Sequence, residues 1–211
     1  MLNEANVYKL KLDYFDFHGG RGEVPRLILS IGGIPFEDNR IPVSEWPSVR
    51  DNAPLSALPV LHVDGEAITQ SNAINRFTGR LAKLYPEDAL QALRCDEIMD
   101  AVEDVITKVV VTFFIADEEE KKAAREKLAD GAIKTYLVYL QTLLAKNSDD
   151  FFVENRLTIA DLKVFTWTRS LRAGVLDYIP DTIVETVAPR LVEHCDRIAA
   201  DPGVVAWYDA H

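Results

Sequence analysis

A tyrosine at the end of a strand pattern is the first residue in this chain that could do chemistry. From Tyr8 to Tyr14 the even positions are bulky and apolar or aromatic, and Lys9, Lys11 and Asp13 lie between them. This period of two is typical of a half-buried strand and puts Tyr14 on the buried face, just before a glycine-rich turn. A buried phenol normally has a hydrogen-bond partner, and a ligand could be that partner. A core tyrosine with its hydroxyl at the surface is the alternative.

Leu58-Pro59 lies where a loop enters a predicted strand. Proline cannot donate to a strand ladder, so it belongs on an edge or at a strand start. If this bond is cis, the chain bends sharply, and Leu58 presents its backbone N–H and C=O to an extended peptide. Such a peptide would bind like an added strand. Base rates for X-Pro bonds favour trans.

Two further pairs of residues could each bind a carboxylate. Gln70-Ser71 lies at a predicted helix N-terminus, where free N–H groups, the helix dipole and a hydroxyl attract an anion; a plain N-cap is the alternative. Trp46 and Arg50, four residues apart in a proline-rich loop, offer an indole N–H and a guanidinium. A packed tryptophan and a solvated arginine are the alternative there. Together with the Tyr14 phenol and the backbone groups of Leu58, these two pairs suit a small peptide carrying a carboxylate at each end.

The elements that would position these residues follow the order β-α-β and then β-β-α over the first eighty residues. Gly32-Gly33 is expected to end the first helix, and Ser71 is a natural N-cap for a later one. Asp64-Gly65 predicts a tight hairpin turn. The predicted segments are a strand ending at Tyr14, a helix over 24–31, extended segments over 36–41 and 58–63, a strand over 66–69, and a helix over 71–84.

Beyond a linker at 84–88, only helical patterns remain. Long helices are predicted over 90–116 and 117–146. Thr158 and Asp161 have the spacing of a capping box and open an apolar helix. A further helix is predicted over 181–200, with a short last turn over 204–208. The sequence therefore predicts a small α/β domain followed by an all-helical one.

Composition excludes several classes of function. The net charge of −11 argues against a nucleic-acid partner, which needs a basic footprint, and weakly against an anionic membrane surface. The amino terminus lacks a secretory signal pattern, and no stretch is apolar for long enough to span a membrane. Only two cysteines are present, so a disulfide framework, a CxxC motif and a cysteine-rich zinc site are excluded. Cys95 and Cys195 are expected to be buried or half-buried thiols in a cytosolic protein.

Taken together, these features resemble the cytosolic glutathione transferases, particularly the sigma-like, tyrosine-using classes. The resemblance covers essentially the whole chain, and it rests on the order and spacing of motifs that are not decisive singly. They are Tyr14-Phe15, Arg21-Gly22-Glu23 leading into Arg26, Trp46 with Arg50, Leu58-Pro59-Val60-Leu61, Asp64-Gly65, Gln70-Ser71-Asn72-Ala73-Ile74 and Thr158-Ile159-Ala160-Asp161. The resemblance implies a thioredoxin-like domain over residues 1–84 and an all-helical domain over 85–211 that forms the electrophile pocket. It also implies a cytoplasmic homodimer.

The resemblance further implies that glutathione is the co-substrate. No metal is expected, since acidic helix faces are usually solvated, although a divalent ion at Asp100, Glu103 and Asp104 stays open. Tyr14 would donate a hydrogen bond to the glutathione sulfur, and Arg21 matches an arginine that favours anionic sulfur. Leu58, before a cis-Pro59, would pair its backbone with the cysteinyl part.

The two carboxylates of glutathione are assigned by the same resemblance. Gln70 and Ser71 would hold the γ-glutamyl carboxylate, and Trp46 and Arg50 the glycine carboxylate. Asp104 matches the acidic residue that reaches across the dimer to the γ-glutamyl ammonium. A solvated helix carboxylate is the alternative for Asp104, and its acidic neighbours are expected to be solvated rather than metal-bound.

Three positions depart from the family pattern. The turn after Tyr14 is one residue longer than usual, which puts the placement of Arg21 in doubt. Ala57 stands where a glutamine commonly precedes the Leu-Pro pair, which removes a polar contact to the peptide. Leu55 replaces a large aromatic that in some classes plugs into the partner subunit, which suggests a more polar, sigma-like dimer contact.

The expected activity is addition of the glutathione thiolate to hydrophobic electrophiles. Two alternatives stay open: a glutathione-dependent isomerase of the prostaglandin-synthase type, and a non-catalytic crystallin-like protein or ligand carrier. The choice between transferase and isomerase depends on a second, variable pocket. Its candidate residues, for each of which ordinary packing or surface exposure is the alternative, are Phe15, Phe17, His18, Val105, Lys108, Val109, Thr112, Trp207 and Tyr208.

Overall fold

The computed structural model of the protein describes residues 8–147 and 150–211. The amino-terminal segment in which no secretory signal was expected, residues 1–7, lies outside the described residues. The first part of the described chain contains four strands: β1 (Leu10–Phe15), β2 (Glu37–Ile41), β3 (Val60–Val63) and β4 (Glu66–Ile68). They form one sheet in the order β2-β1-β3-β4. β2 is parallel to β1, β3 is antiparallel to β1, and β4 is antiparallel to β3.

Three helices accompany this sheet: α1 (Gly20–Ile31), α2 (Trp46–Val49) and α3 (Ser71–Leu81). A parallel pair of strands needs a crossover connection, and α1 supplies it between β1 and β2. The predicted alternation is confirmed from Leu10 onward, because Leu10, Leu12 and Tyr14 are buried while the residues between them are partly exposed. Tyr8, with which the predicted pattern began, lies before β1 and is exposed. Leu10 and Leu12 pack in one cluster with Leu29 of α1, with Leu61 of β3 and with Ile74 of α3.

The second part consists of helices and the loops that connect them, and its described residues include no strand. Its helices are α4 (Ala89–Val110), α5 (Glu118–Leu128), α6 (Lys134–Asn147), α7 (Ile159–Arg172), α8 (Ile183–Val187), α9 (Pro189–Ala199) and α10 (Pro202–Ala210). The predicted fold class, a thioredoxin-like α/β unit followed by an all-helical unit, is confirmed. The domain boundary at residue 84 stays a prediction. No helix within the described ranges is both long enough and apolar enough to cross a membrane.

Several helix bounds differ from the prediction. The helix predicted over 117–146 is divided by a π-helical turn at Ala129–Ile133. The helix predicted over 181–200 is broken before Pro189, because the residue that precedes a proline is pushed out of the helical region; Ala188 there has φ −143°. The short last turn is instead a nine-residue helix, α10.

The helix α7 lies at the centre of the molecule and joins its two parts. The predicted capping box is confirmed, since the Asp161 carboxylate accepts the Thr158 backbone N–H at 2.8 Å. Residues of α7 share one large core with residues of α1, α4, α9 and α10. Both cysteines are buried in this core, as expected, and burial raises the pKa of the Cys95 thiol to about 12. At that pKa the Cys95 thiol is no nucleophile at neutral pH.

Candidate functional site

Tyr14 lies at the end of β1 with its side chain enclosed by the turn that follows. The side chain is 5% exposed, and its hydroxyl oxygen accepts the backbone N–H of Arg21 at 2.9 Å. A Cβ atom at Gly20 would overlap the Tyr14 hydroxyl, and one at Gly22 would overlap the ring. The two glycines therefore let the backbone approach the phenol closely enough to donate to it.

The phenol of Tyr14 is neutral and able to donate. Burial raises its pKa above the ordinary value of 10.0, although the backbone N–H groups of Arg21 and Gly22 act in the opposite direction. The Arg26 guanidinium, 5.5 Å from the ring centroid, also favours the anion without reversing the shift. Because the hydroxyl oxygen already accepts a backbone hydrogen bond, the phenolic proton is left for another acceptor.

Arg26 fixes the turn that carries these groups. It is fully buried, and its guanidinium donates to the carbonyl oxygens of Phe15 and Phe17, each at 3.0 Å. It also donates to the Asp38 carboxylate at 2.9 Å. These bonds hold the chain immediately after Tyr14 against α1 and β2.

Arg21 approaches Tyr14 through its backbone, while its side chain extends to the helical part. Its Nε lies 2.6 Å from Glu103 Oε1, and its Nη2 lies 3.1 Å from Thr107 Oγ1. The backbone N–H of Arg21, and not its guanidinium, therefore contacts the phenol. The Arg21 guanidinium instead donates to Glu103 and Thr107 of α4.

Gln70 and Ser71 meet the end of α3 differently from the prediction. Ser71 was expected to be the N-cap, but Gln70 occupies that position and Ser71 is the first helical residue. The Ser71 hydroxyl donates instead to Glu103 Oε2 at 3.1 Å, which draws it away from the helix N–H groups. Gln70 has φ +76°, a left-handed backbone that is rare for a residue other than glycine and that is often found at ligand sites.

Glu103 connects these predicted residues and was not itself predicted. Its carboxylate accepts from Arg21, from Ser71 and from Lys163 Nζ of α7, the last at 2.6 Å. Burial opposes ionisation of Glu103, but Lys163 and Arg21 hold its pKa below the ordinary 4.5. A signal was present in the sequence: Lys163 is a single charge within the apolar run Leu162 to Phe165, which indicates a buried ion pair.

Asp104, which was predicted to act across a dimer, lies on the exposed face of α4. Its carboxylate accepts the Tyr136 hydroxyl at 3.3 Å. In the part of the chain that the structure describes, no hydrogen bond joins Asp104 to Gln70 or Ser71. The structure therefore separates Asp104 from the cluster that its neighbour Glu103 joins.

Leu58-Pro59 has a cis peptide bond, as the resemblance implied, and leads directly into β3. Trp46, at the start of α2, packs edge-on against Phe15 with ring centroids 5.5 Å apart. The Arg50 side chain is 57% exposed and lies 3.3 Å from the Asp51 carboxylate. Trp46 and Leu58 thus approach the end of β1, whereas Arg50 stays at the surface.

A cavity of about 390 Å³ lies beneath α2 on the sheet face opposite Tyr14. Trp46 and Leu58 contribute to its wall, but Tyr14, Gln70 and Ser71 do not. On its floor the Asp13 carboxylate accepts from Asn39 and from His62, each at 2.8 Å. Since Asp13 and Tyr14 are adjacent on a strand, they face opposite sides of the sheet, and this cavity is separate from the phenol.

Some of the residues predicted to line an electrophile pocket lie around Tyr14 and the turn that follows it. Phe15 and Phe17 each pack edge-on against Tyr14. His18 and Trp207 both bind the fully buried Glu23 carboxylate, at 3.2 Å and 3.0 Å.

The other pocket candidates lie in three different places. Tyr208 packs against the His18 ring at 5.3 Å, which places it with the residues around the turn. Val105, Val109 and Thr112 are buried in the core, whereas Lys108 is exposed with its amino group 5.7 Å from the Tyr136 ring centroid. Within the described chain, no group of three or more His, Cys, Asp or Glu residues is arranged to hold a metal ion.

Known proteins are similar to this chain over most of its length. The family model described as "Glutathione S-transferase, C-terminal domain" matches residues 103–211. Glutathione S-transferase 3 of Caenorhabditis elegans is 32% identical over 188 residues, which cover 87% of this chain and 90% of the relative. Prostaglandin synthase D of Nilaparvata lugens superposes with a TM-score of 0.85 at 27% identity, covering 95% of this chain and 97% of that structure. The glutathione S-transferase of Ascaris lumbricoides superposes with a TM-score of 0.80 at 28% identity, covering 96% and 97%.

Proposed function

Because this chain belongs to the glutathione S-transferase family, we propose that it is a sigma-like, tyrosine-type transferase. In this proposal it adds the glutathione thiolate to hydrophobic electrophiles, and Tyr14 stabilises the thiolate. One observation carries the proposal. Tyr14 is a buried, neutral phenol whose oxygen accepts a backbone N–H and whose proton is free to bind an anion.

The chemistry follows from the ionisation of a thiol. An ordinary thiol has a pKa of about 8.5, so only a few per cent is thiolate at pH 7. A phenol that donates to the thiolate stabilises the charged form, and each unit by which the pKa falls corresponds to about 1.36 kcal/mol. A fall of about two units would make thiolate the major species at neutral pH. The electrophile then needs only to be held beside the sulfur.

The remaining glutathione contacts in this proposal are those that the family resemblance implies. In our proposal Leu58, before the cis-Pro59, pairs its backbone with the cysteinyl part of glutathione. Gln70 and Ser71 hold the γ-glutamyl carboxylate at the start of α3. Arg21 supplies positive charge near the sulfur, and its ion pair with Glu103 orients the Arg21 guanidinium.

The glycine end and the subunit contact complete the proposed site. Trp46 and Arg50 hold the glycine carboxylate, for which the exposed Arg50 is accessible. Asp104 binds the γ-glutamyl ammonium of a partner subunit in a cytoplasmic homodimer, and its exposed position on α4 is compatible with that role. Residues 1–84 form the glutathione-binding domain and residues 85–211 the domain that completes the electrophile pocket.

A glutathione-dependent isomerase is the second candidate. It is favoured by the similarity to prostaglandin synthase D of Nilaparvata lugens. Such an enzyme would use the same thiolate on one specialised substrate, so Tyr14 would keep its role. A non-catalytic, crystallin-like protein or carrier has no need of a buried phenol that keeps a donor free.

The test is retention on immobilised glutathione together with conjugation of a chloronitroaromatic, for the wild type and for Tyr14→Phe. Tyr178→Phe is the control, because Tyr178 is exposed and bonded to Glu118. Retention with activity that collapses only in Tyr14→Phe would establish the tyrosine-type transferase. Retention without activity would favour the isomerase or a carrier. Full activity in Tyr14→Phe would refute the role of Tyr14.

A further inference from the structure

Lys163 is a buried cation that the proposed chemistry has not yet used. It lies on α7, its side chain is 1% exposed, and its Nζ is 2.6 Å from Glu103 Oε2. Burying an ammonium is unfavourable unless it is paired, and Glu103 provides the pair. A simple ion pair between α7 and α4 would account for this much.

Glu103, however, does not belong to Lys163 alone. Its Oε1 lies 2.6 Å from Arg21 Nε, and its Oε2 also accepts the Ser71 hydroxyl at 3.1 Å. Arg21 in turn donates its backbone N–H to the Tyr14 hydroxyl. Lys163 is therefore connected through the Glu103 carboxylate to Arg21 and Ser71, and through Arg21 to Tyr14.

The charges in this cluster decide what Lys163 does there. Arg21 and Glu103 alone would form a neutral pair, and such a pair offers little attraction to a thiolate. The Lys163 ammonium gives Lys163, Arg21 and Glu103 together one net positive charge. Asp100, which also faces Lys163, is paired with Arg76. In a partly buried site a net charge acts over a longer distance than it would in water.

We propose that Lys163 is a positioning residue that offsets the charge of Glu103, so that Arg21 keeps its positive charge available to the glutathione thiolate. This inference rests on the proposed function. The charged groups that face Lys163 are Glu103 and Asp100 of α4 and Arg21 of α1. Burial lowers the pKa of Lys163, and the Glu103 carboxylate opposes that fall.

The experiment is a double-mutant cycle read as the pKa of the bound glutathione thiol. The pKa is followed by the ultraviolet absorbance of the thiolate in the complex as the pH is varied. Lys163→Met removes the positive charge and should raise the thiol pKa by roughly 0.5–1 unit, a three- to tenfold loss of thiolate at a fixed lower pH. Glu103→Gln removes the negative charge and should lower the thiol pKa, by less than Lys163→Met raises it, because Lys163 keeps its proton less well without its carboxylate partner. The double variant should return it close to the wild-type value.

Lys127→Met is the matched control, because it removes the same charge from an exposed position on α5. It should leave the thiol pKa unchanged. A purely structural ion pair predicts a different pattern. Both single variants would weaken glutathione binding, and they would not shift the pKa of the bound thiol in opposite directions. Opposite shifts that cancel in the double variant therefore establish the role of Lys163.

Two failures can be told apart. If the wild type binds glutathione and titrates, but the two single variants shift the pKa in the same direction or not at all, the role of Lys163 is refuted and the proposed function stands. If the wild type does not bind glutathione, both proposals fall. Should Lys163→Met fail to fold, Glu103→Gln and the double variant still decide. The inference then requires the pKa of Glu103→Gln to lie below that of the double variant.

Discussion

The backbone N–H of Arg21 lies 2.9 Å from the hydroxyl oxygen of Tyr14. This contact leaves the phenol to act as a hydrogen-bond donor toward a ligand. An oxygen that accepts from the backbone directs its own proton elsewhere, and burial keeps that proton on the oxygen by raising the pKa. Tyr14 is thus prepared as a donor before any ligand arrives.

Gly22→Ala should damage the protein through Tyr14. A Cβ atom at position 22 would overlap the Tyr14 ring, so the ring or the start of α1 must move. We expect a loss of about 1–3 kcal/mol in the free energy of unfolding, with a larger proportional loss of conjugation activity. Denaturant unfolding and steady-state kinetics measure the two effects.

Gly131→Ala is the control for that substitution, because a Cβ atom at position 131 meets nothing within 4 Å. It should be neutral or slightly stabilising, since alanine is the better helix former. Equal stability of the two variants would contradict the close approach of Gly22 to the phenol.

Tyr14→Phe should change how the rate depends on pH. In the wild type, kcat/KM should rise through the pKa of the bound thiol and then stay level to about pH 9–10, because the pKa of Tyr14 lies above 10.0. Without the phenol we expect the rise to move up by about 1–2 units and the rate at neutral pH to fall roughly 10²-fold. A second ionisation near pH 8 in the wild type alone would indicate a phenolate, against this mechanism.

The strand that carries Tyr14 was predictable because its pattern is local. Alternating burial needs only the period of two, and the chain from Leu10 to Phe15 follows it. The capping box of Thr158 and Asp161 was predictable for the same reason, since both partners lie within one turn. Features whose cause lies within a few residues could be predicted from the sequence.

The cluster around Glu103 was not predictable in this way. Its partners, Arg21, Ser71 and Lys163, are 82, 32 and 60 residues away in the chain. Adjacent helix residues point about 100° apart, so Glu103 turns toward these partners while Asp104 turns to solvent. Which of the two faces inward depends on how α4 packs, and that is a tertiary property.

Asp13→Asn should reveal a pH-dependent contribution to stability on the far side of the sheet. Burial raises the pKa of Asp13, but hydrogen bonds from Asn39 and His62 bring it below the ordinary 3.8. A carboxylate with a lowered folded-state pKa stabilises fully above its unfolded value and loses that effect as the pH falls through the folded-state value. The wild type should therefore be more stable than Asp13→Asn by up to about 1 kcal/mol at pH 7. This difference in the free energy of unfolding should narrow below about pH 4.

Asp209→Asn, at an exposed position on α10, is the control and should match the wild type across the same pH range. Activity should survive in Asp13→Asn, because Asp13 faces away from Tyr14. A stability difference that widened on acidification would have the wrong sign for a lowered pKa.

Asp104→Asn tests the proposed contact across a homodimer. Removing one charged partner of the γ-glutamyl ammonium should raise KM for glutathione roughly 10-fold and leave kcat nearly unchanged, because ground state and transition state lose the same contact. Asp130→Asn, also exposed and outside α4, is the control and should leave KM as it is. Because Asp104 would act on the partner subunit's glutathione, dilution that dissociates the wild-type dimer should raise its KM toward that of Asp104→Asn. An unchanged KM in Asp104→Asn would make Asp104 a solvated carboxylate bonded to Tyr136 and nothing more.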